Sequence, residues 1–323
     1  MIRLLARRAA QGAAIVWLVA TFTFALIALA PGDVVDAKYS SERIPSAYQA
    51  QVRQALCLDR GIVARYGCWL RSLGTGQLGW SEDAQRPVSA MLADAIPNTL
   101  LLMGIVLAGS FLLGIAGGVA QAWRPRSALD RGIGALSMLF YSLPDFLLAL
   151  IVMFLFAYKL RWFPDTGTTD AVLFGSESFG ERLLDRARHL VLPAGTLILL
   201  TSAAVARFQR SAMLDVLTQD FVRTARAKGL SERQVLLHHV LRNALLPVIT
   251  LLGLALPALL GGAVLVERVF SWPGMGSMAA TAVADRDYPV IMAVTVASSV
   301  LVVFGSLLAD LLSAVADPRV RAN

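Results

Sequence analysis

Nothing in this sequence is arranged to make or break a covalent bond. It has no G-x-x-x-x-G-K-[ST] phosphate loop, and Ala227-Lys228-Gly229-Leu230 does not substitute for one. It has no H-E-x-x-H, and its three histidines (His189, His238, His239) are distant in sequence from its two cysteines, so no metal-ligand set forms. What the chain offers is a surface for docking, carried by DFVRTARAKGLSERQVLLHHVLRNALLP from Asp220 to Pro247. Asp215–Lys228 reads as one helix that Gly229 ends as a C-cap. Ser231 with Gln234 three residues later forms the capping box of a second helix, which runs toward Pro247. Thr224, Ala225 and Ala227 are small enough for close approach by another surface. Around them Arg223, Arg226, Lys228 and Arg233 form a basic ring that steers toward an acidic partner. An ordinary positively charged loop of a membrane protein has the same composition, and on these residues alone the two readings stand level.

Asp145, Pro144 and Trp272 could lie on the pathway of a solute. Asp145 is a full charge in the middle of an apolar run, beside Pro144, where it could meet a cation in a cavity or simply pair within a helix bundle. Asp310 lies near the end of its run and reaches the interface. Trp272, in a turn-rich apolar stretch, is either an interfacial anchor or part of a cavity mouth. Cys57 and Cys68 could close a disulfide in an oxidising compartment, or remain two separate thiols.

The elements that must hold these residues are membrane helices. Of 323 residues, 57% are hydrophobic and only 16% charged, against about 25% charged in soluble domains. Six runs approach or exceed the ~20 apolar residues that cross a bilayer: Ala9–Ala30, Pro97–Ala122, Ile133–Tyr158, Leu190–Ala206, Leu245–Val266 and Tyr288–Leu312. None contains Lys or Arg, and the fourth is the shortest. The first resembles a signal peptide at Ala28-Leu29-Ala30, but its apolar stretch is long and Pro31 would follow the cut, so it is expected to stay as a helix. With the N-terminus inside, segments 1–8, 123–132, 207–244 and 313–323 hold 15 basic and 5 acidic residues, whereas 31–96, 159–189 and 267–287 hold 14 and 15. Both termini are therefore expected in the cytoplasm. No aromatic-plus-basic platform accompanies the positive face, so the partners expected are a lipid bilayer and proteins, with no nucleic acid. Segment 31–96 forms a large outer loop with a surface helix over Pro45–Ala64, a turn at Gly74, Gly76 and Gly79, and an approach helix from Pro87. Arg182–His189 reads as a short lead-in helix. Segments 97–312 make up the remaining core, and 313–323 a tail.

The 220–247 segment resembles the cytoplasmic EAA loop of ABC importer permeases. Where the general pattern has Glu-Ala-Ala, three residues and Gly, this chain has Arg223-Thr224-Ala225 and Gly229. Where that pattern ends in Leu-Pro it has Arg242, with proline delayed to Pro247. These departures match the B-type membrane subunit of dipeptide, oligopeptide and nickel importers. Further matches are Ala30-Pro31-Gly32-Asp33, Tyr141-Ser142-Leu143-Pro144 with Phe146, Trp162-Phe163-Pro164, Arg188–Pro193, Glu267–Gly276 and Asp317-Pro318-Arg319. The resemblance covers nearly the whole chain and is weakest over 34–73. It implies an all-α, six-helix type I importer permease fold in the bacterial inner membrane. It also implies that Arg223, Thr224, Ala225, Arg226, Ala227, Lys228, Gly229 and Leu230 dock on an ATPase. The implied partners are two ATP-binding cassette subunits holding ATP and Mg, a second homologous permease and a periplasmic or extracellular binding protein. The chain itself would bind no cofactor and catalyse no reaction. Peptides are the expected cargo, with nickel or another small solute as the alternative within the same machinery. A secondary transporter or channel is the alternative of a different class.

Overall fold

The computed structural model describes residues 2–29, 53–54, 57–170 and 178–316. Helices dominate, because apolar runs of this length satisfy their backbone groups internally only as helices. In chain order they are α1 (Ile2–Leu29), α2 (Ile62–Gly74), a ribbon of β1 (Trp80–Ser81) and β2 (Arg86–Pro87), α3 (Val88–Trp123), α4 (Ala128–Ser142) and α5 (Asp145–Val152). After α5 the helix widens into a π-helical segment, π1 (Met153–Lys159). There follow α6 (Phe179–Leu217), α7 (Asp220–Ala227), α8 (Glu232–Gln234), a second π-helical segment π2 (Val235–Val240), α9 (Leu241–Val269), α10 (Met275–Ala284) and α11 (Tyr288–Ala316).

Among the described residues, α1 from Arg7, α3, α6 and α11 up to Leu311 are each long and apolar enough to cross a membrane. The pair α4 and α5–π1, bent by 107° at its break, is long and apolar enough only when taken together, as a broken span or a re-entrant loop. The sequence reads Ile133–Tyr158 as one span. Instead, Leu143 and Pro144 are extended, and Pro144 becomes the N-cap of a new helix. Proline cannot donate the backbone bond that would carry α4 onward. The fourth span was also read too short. It is the middle of the 39-residue α6, about 58 Å at 1.5 Å per residue. Its start is fixed by Ser178, whose hydroxyl accepts from Glu181 N–H while the Glu181 carboxylate accepts from Ser178 N–H. The lead-in helix expected at Arg182–His189 is the first part of this same helix.

α3 and α6 form the central pair. At Gly118 an added Cβ would lie 2.6 Å from Gln209 Cβ and 2.8 Å from the Ala206 carbonyl, so only glycine lets the two backbones approach this closely. Leu102, Val106, Ala149, Leu197, Val266, Phe270 and Trp272 make one buried cluster where α3, α5, α6 and α9 meet. A second cluster joins α3, α10 and α11 through Val88, Leu92, Met275 and Val290. α1 packs along α11, with an Arg8–Asp310 ion pair of 3.2 Å tying them near one end. The expected Pro45–Ala64 helix lies partly outside the described residues. Of its end, 57–61 is a turn, and the helix proper begins at Ile62. Cys57 and Cys68 are joined by a disulfide.

Candidate functional site

The 220–247 segment forms helix, glycine turn and helix, but its first helix breaks where a continuous one was expected. Asp215–Lys228 is divided at Thr218-Gln219, so α7 begins afresh at Asp220. Lys228 caps α7, and Gly229 takes φ +82°. An added Cβ at Gly229 meets nothing within 4 Å, so glycine is needed for this left-handed backbone and not for space. Ser231 and Gln234 then make the expected reciprocal capping box. The helix proceeds from α8 through π2 into α9, which places the turn at the end of a 29-residue helix without an intervening linker.

The turn has two faces. Inward, Val222 and Ala225 of α7 and Val235, Leu236 and Val240 beyond the glycine are buried against Ala122 at the end of α3 and Met213 at the end of α6. Ala225 therefore packs on its own chain and is unavailable for outward contact. Outward, Arg223, Thr224, Arg226, Ala227, Lys228, Gly229 and Leu230 are exposed. Phe221 is also exposed, and sequence reasoning passed over it, although an aromatic residue in so polar a stretch is a signal of an interface anchor. The basic ring is smaller than its residue count. Arg226 is held by Glu232 in a two-pronged pair, Nε to Oε1 at 2.8 Å and Nη2 to Oε2 at 3.2 Å, which pins α7 to α8 across the glycine. Arg223 approaches Asp220 at 3.6 Å with both side chains in solvent, a contact worth little. Arg223, Lys228 and Arg233 carry the outward positive charge.

Just behind the turn lies a buried charge. Asp130, in the polar segment ahead of the apolar run that starts at Ile133, accepts from Arg210 Nε at 2.7 Å and Nη2 at 2.9 Å. It also accepts from Arg126 N–H at 2.8 Å and Gln121 Nε2 at 3.2 Å. The Arg210 guanidinium, opposed by burial and helped by Arg126 N–H, lowers the Asp130 pKa from 3.8 to about 2. This clasp binds the turn-side ends of α3, α4 and α6, the elements around the floor on which the turn rests.

The other named residues are placed differently. Asp145 sits in the first turn of α5, half-buried, accepting from the N–H of Phe146 at 2.8 Å. Trp272 is fully buried and donates Nε1–H to the Asn98 carbonyl at 3.1 Å, so it belongs to the core and does not line a cavity mouth. The reason lies in its neighbour Glu267, which sequence reasoning noted only within a motif. The wholly buried Glu267 carboxylate accepts from Thr99 Oγ1 at 3.2 Å, Ser277 N–H at 2.9 Å and Gly276 N–H. A Cβ at Gly274 would collide with that carboxylate, and one at Gly276 would come within 2.9 Å of it. The turn Ser271–Gly274 therefore folds inward around Glu267 and carries Trp272 with it.

Two family models cover this chain. "Binding-protein-dependent transport system inner membrane component" matches residues 110–322, and the corresponding N-terminal model matches residues 1–103. Among curated relatives, the oligopeptide transport system permease protein AppB of Bacillus subtilis is 42% identical over 299 residues, 92% of each chain. The di/tripeptide transport system permease protein DppB of Pseudomonas aeruginosa is 38% identical over 317 residues, 94% of each. With residues 1–103 and 110–322 so matched, the chain belongs to the family of inner membrane components of binding-protein-dependent transport systems.

Proposed function

We propose that this protein is the membrane subunit of an ABC importer for di- and oligopeptides, forming half of the translocation pathway. Two ATP-binding cassette subunits holding ATP and Mg, a second homologous permease and an external binding protein complete the machine, and this chain catalyses nothing itself. In this reading six crossings place both termini and the 207–244 segment in the cytoplasm. The 31–96 loop and the Glu267–Gly276 stretch then lie on the binding-protein side. Support for the cargo comes from the relatives, named as oligopeptide and di/tripeptide permeases.

The observation that carries the proposal is the two-faced turn. A docking element must present a contact outward and be unable to move independently of the helices it drives. Phe221, Lys228 and Leu230 meet the first condition. The buried packing of Val222, Val235 and Leu236 on Ala122 and Met213 meets the second. Closure of the ATPase pair would then pull α3, α6 and α9 together, and the bundle would rock between inward-open and outward-open forms. In this reading Asp145, beside the Pro144 break, faces the pathway, where its carboxylate could meet a peptide's ammonium group.

The test is Gly229→Val, which forces a β-branched residue into a left-handed backbone at a cost of about 1–2 kcal/mol. Membrane insertion should persist while ATP-driven peptide uptake in proteoliposomes falls at least tenfold. Full uptake in a correctly inserted variant would refute the docking role.

A further inference from the structure

At the end of α6 away from the docking turn lies a cavity of about 460 Å³. Arg188 on α6 and Leu217 at its end are 29 residues apart, about 44 Å along the helix, more than the ~30 Å hydrocarbon thickness. The cavity therefore opens at the face of the membrane opposite the turn. Its walls include Tyr158, Arg161, Trp162 and Arg188, with Asp165 as the one acidic residue. Neither the Arg161 nor the Arg188 side chain has a hydrogen bond or ion pair among the described residues. A cation at the C-terminal end of π1 suits the helix dipole, which accounts for Arg161. That explanation does not extend to Arg188, which lies well inside α6, yet both arginines line the same cavity.

Below this basic cavity runs an apolar stripe. Phe146, Leu150, Phe154 and Tyr158 are all exposed along α5 and π1, and Phe154 and Tyr158 stack with ring centroids 5.8 Å apart. From Phe146 to Tyr158 is about 18 Å at 1.5 Å per residue, close to the ~15 Å of one leaflet's hydrocarbon. Trp162 and Tyr158 sit at its polar end, where amphipathic rings favour the headgroup level. An anionic head at one end, an apolar track of leaflet depth and an aromatic pair at the boundary describe one kind of ligand.

We propose that Arg161 and Arg188 hold the phosphate of an anionic phospholipid in the outer leaflet, with an acyl chain lying along Phe146, Leu150, Phe154 and Tyr158. Arginine is suited to phosphate because its planar fork donates two parallel hydrogen bonds. The lipid would brace the broken helix after Pro144, whose exposed side has no cover among the described residues. A partner subunit seated on the stripe is the competing occupant.

The test uses the full chain with its co-purifying subunits, extracted in detergent and analysed by native mass spectrometry with added phosphatidylglycerol. Wild type and Arg161→Lys/Arg188→Lys should each retain phosphatidylglycerol. Arg161→Gln/Arg188→Gln should lose at least tenfold in occupancy, and phosphatidylcholine should not substitute. Millimolar glycerol 3-phosphate or a dipeptide should fail to displace the lipid. Equal retention by the glutamine variant would overturn the proposal. So would displacement by glycerol 3-phosphate, which marks a free-anion site, or by the dipeptide, which marks a cargo site. Should the glutamine variant not fold, photoreactive phosphatidylglycerol bearing a diazirine in its acyl chain decides on wild type. Labelling within 146–158 supports the proposal, and labelling confined to other segments or to a partner subunit contradicts it.

Discussion

The two ends of this bundle are each tied by a buried carboxylate, and they are tied differently. At the end that carries the 220–247 turn, here called inner, Asp130 meets Arg210 through two charged hydrogen bonds. At the opposite end, here called outer, Glu267 has no cation among the described residues. It is met by Thr99 and by the backbone N–H groups of Gly276 and Ser277 at the start of α10. Both join three elements: α3, α4 and α6 inside, and α3, α9 and α10 outside. The inner clasp depends on charge, whereas the outer one depends on the shape of a backbone cradle emptied of Cβ atoms at Gly274 and Gly276. A charge pair can tolerate small shifts in its helices. A carboxylate enclosed by backbone fixes its neighbours at one distance.

The largest effect should come from Arg210→Ala, which leaves Asp130 buried without its cation. A loss of about 3 kcal/mol is expected, at the low end for a broken buried pair because Arg210 is itself one-third exposed. Thermal unfolding of the purified complex would measure it, and a loss below 1 kcal/mol would remove charge as the inner principle. Gly274→Ala should follow at about 2 kcal/mol, since the new methyl meets the Glu267 carboxylate. By contrast Glu267→Gln, which keeps the shape and one acceptor, should cost only about 1 kcal/mol. If Gln proved worse than the Gly274 change, the outer clasp would also be one of charge.

Acid separates the two ends further. Because the Asp130 pKa lies below its ordinary 3.8, its contribution is fully present above about pH 4 and is lost as pH falls through about 2. That loss amounts to about 2 kcal/mol. Asp130→Asn should flatten this part of the stability profile between pH 4 and pH 2, and an unchanged slope would show that other carboxylates control it. Ser231→Ala should cost about 1 kcal/mol by removing one half of the capping box at the turn. The smallest change belongs to Arg8→Gln, whose exposed partner Asp310 makes a pair worth under about 0.5 kcal/mol.

Local signals were legible in the sequence and distant pairings were not. Gly229 and the Ser231–Gln234 box need only their immediate neighbours, so the helix–glycine–helix geometry could be read directly. The Ser178–Glu181 box carries the same signal at the head of α6, but it lies in a polar stretch read as loop, and the helix was started too late. Pro144 was ambiguous by its nature, because a proline in an apolar run can kink a membrane helix or end it. The division at Thr218-Gln219 left no Gly or Pro to mark it. Glu267 was opaque because its partner Thr99 is 168 positions away, and with it the burial of Trp272. The inward turn of Ala225 followed from packing on Met213 and Ala122, which composition does not specify.

The central claim is that force enters through the 220–247 turn. Lys228→Cys at its tip and Ala84→Cys on the outer ribbon provide the direct comparison, each assembled with the ATPase subunits and treated with a short thiol crosslinker. Crosslinking of position 228 to an ATPase subunit, with a yield that changes on ATP binding and with none from position 84, is the result expected. No ATPase adduct at 228, or an adduct at 84 alone, would contradict it.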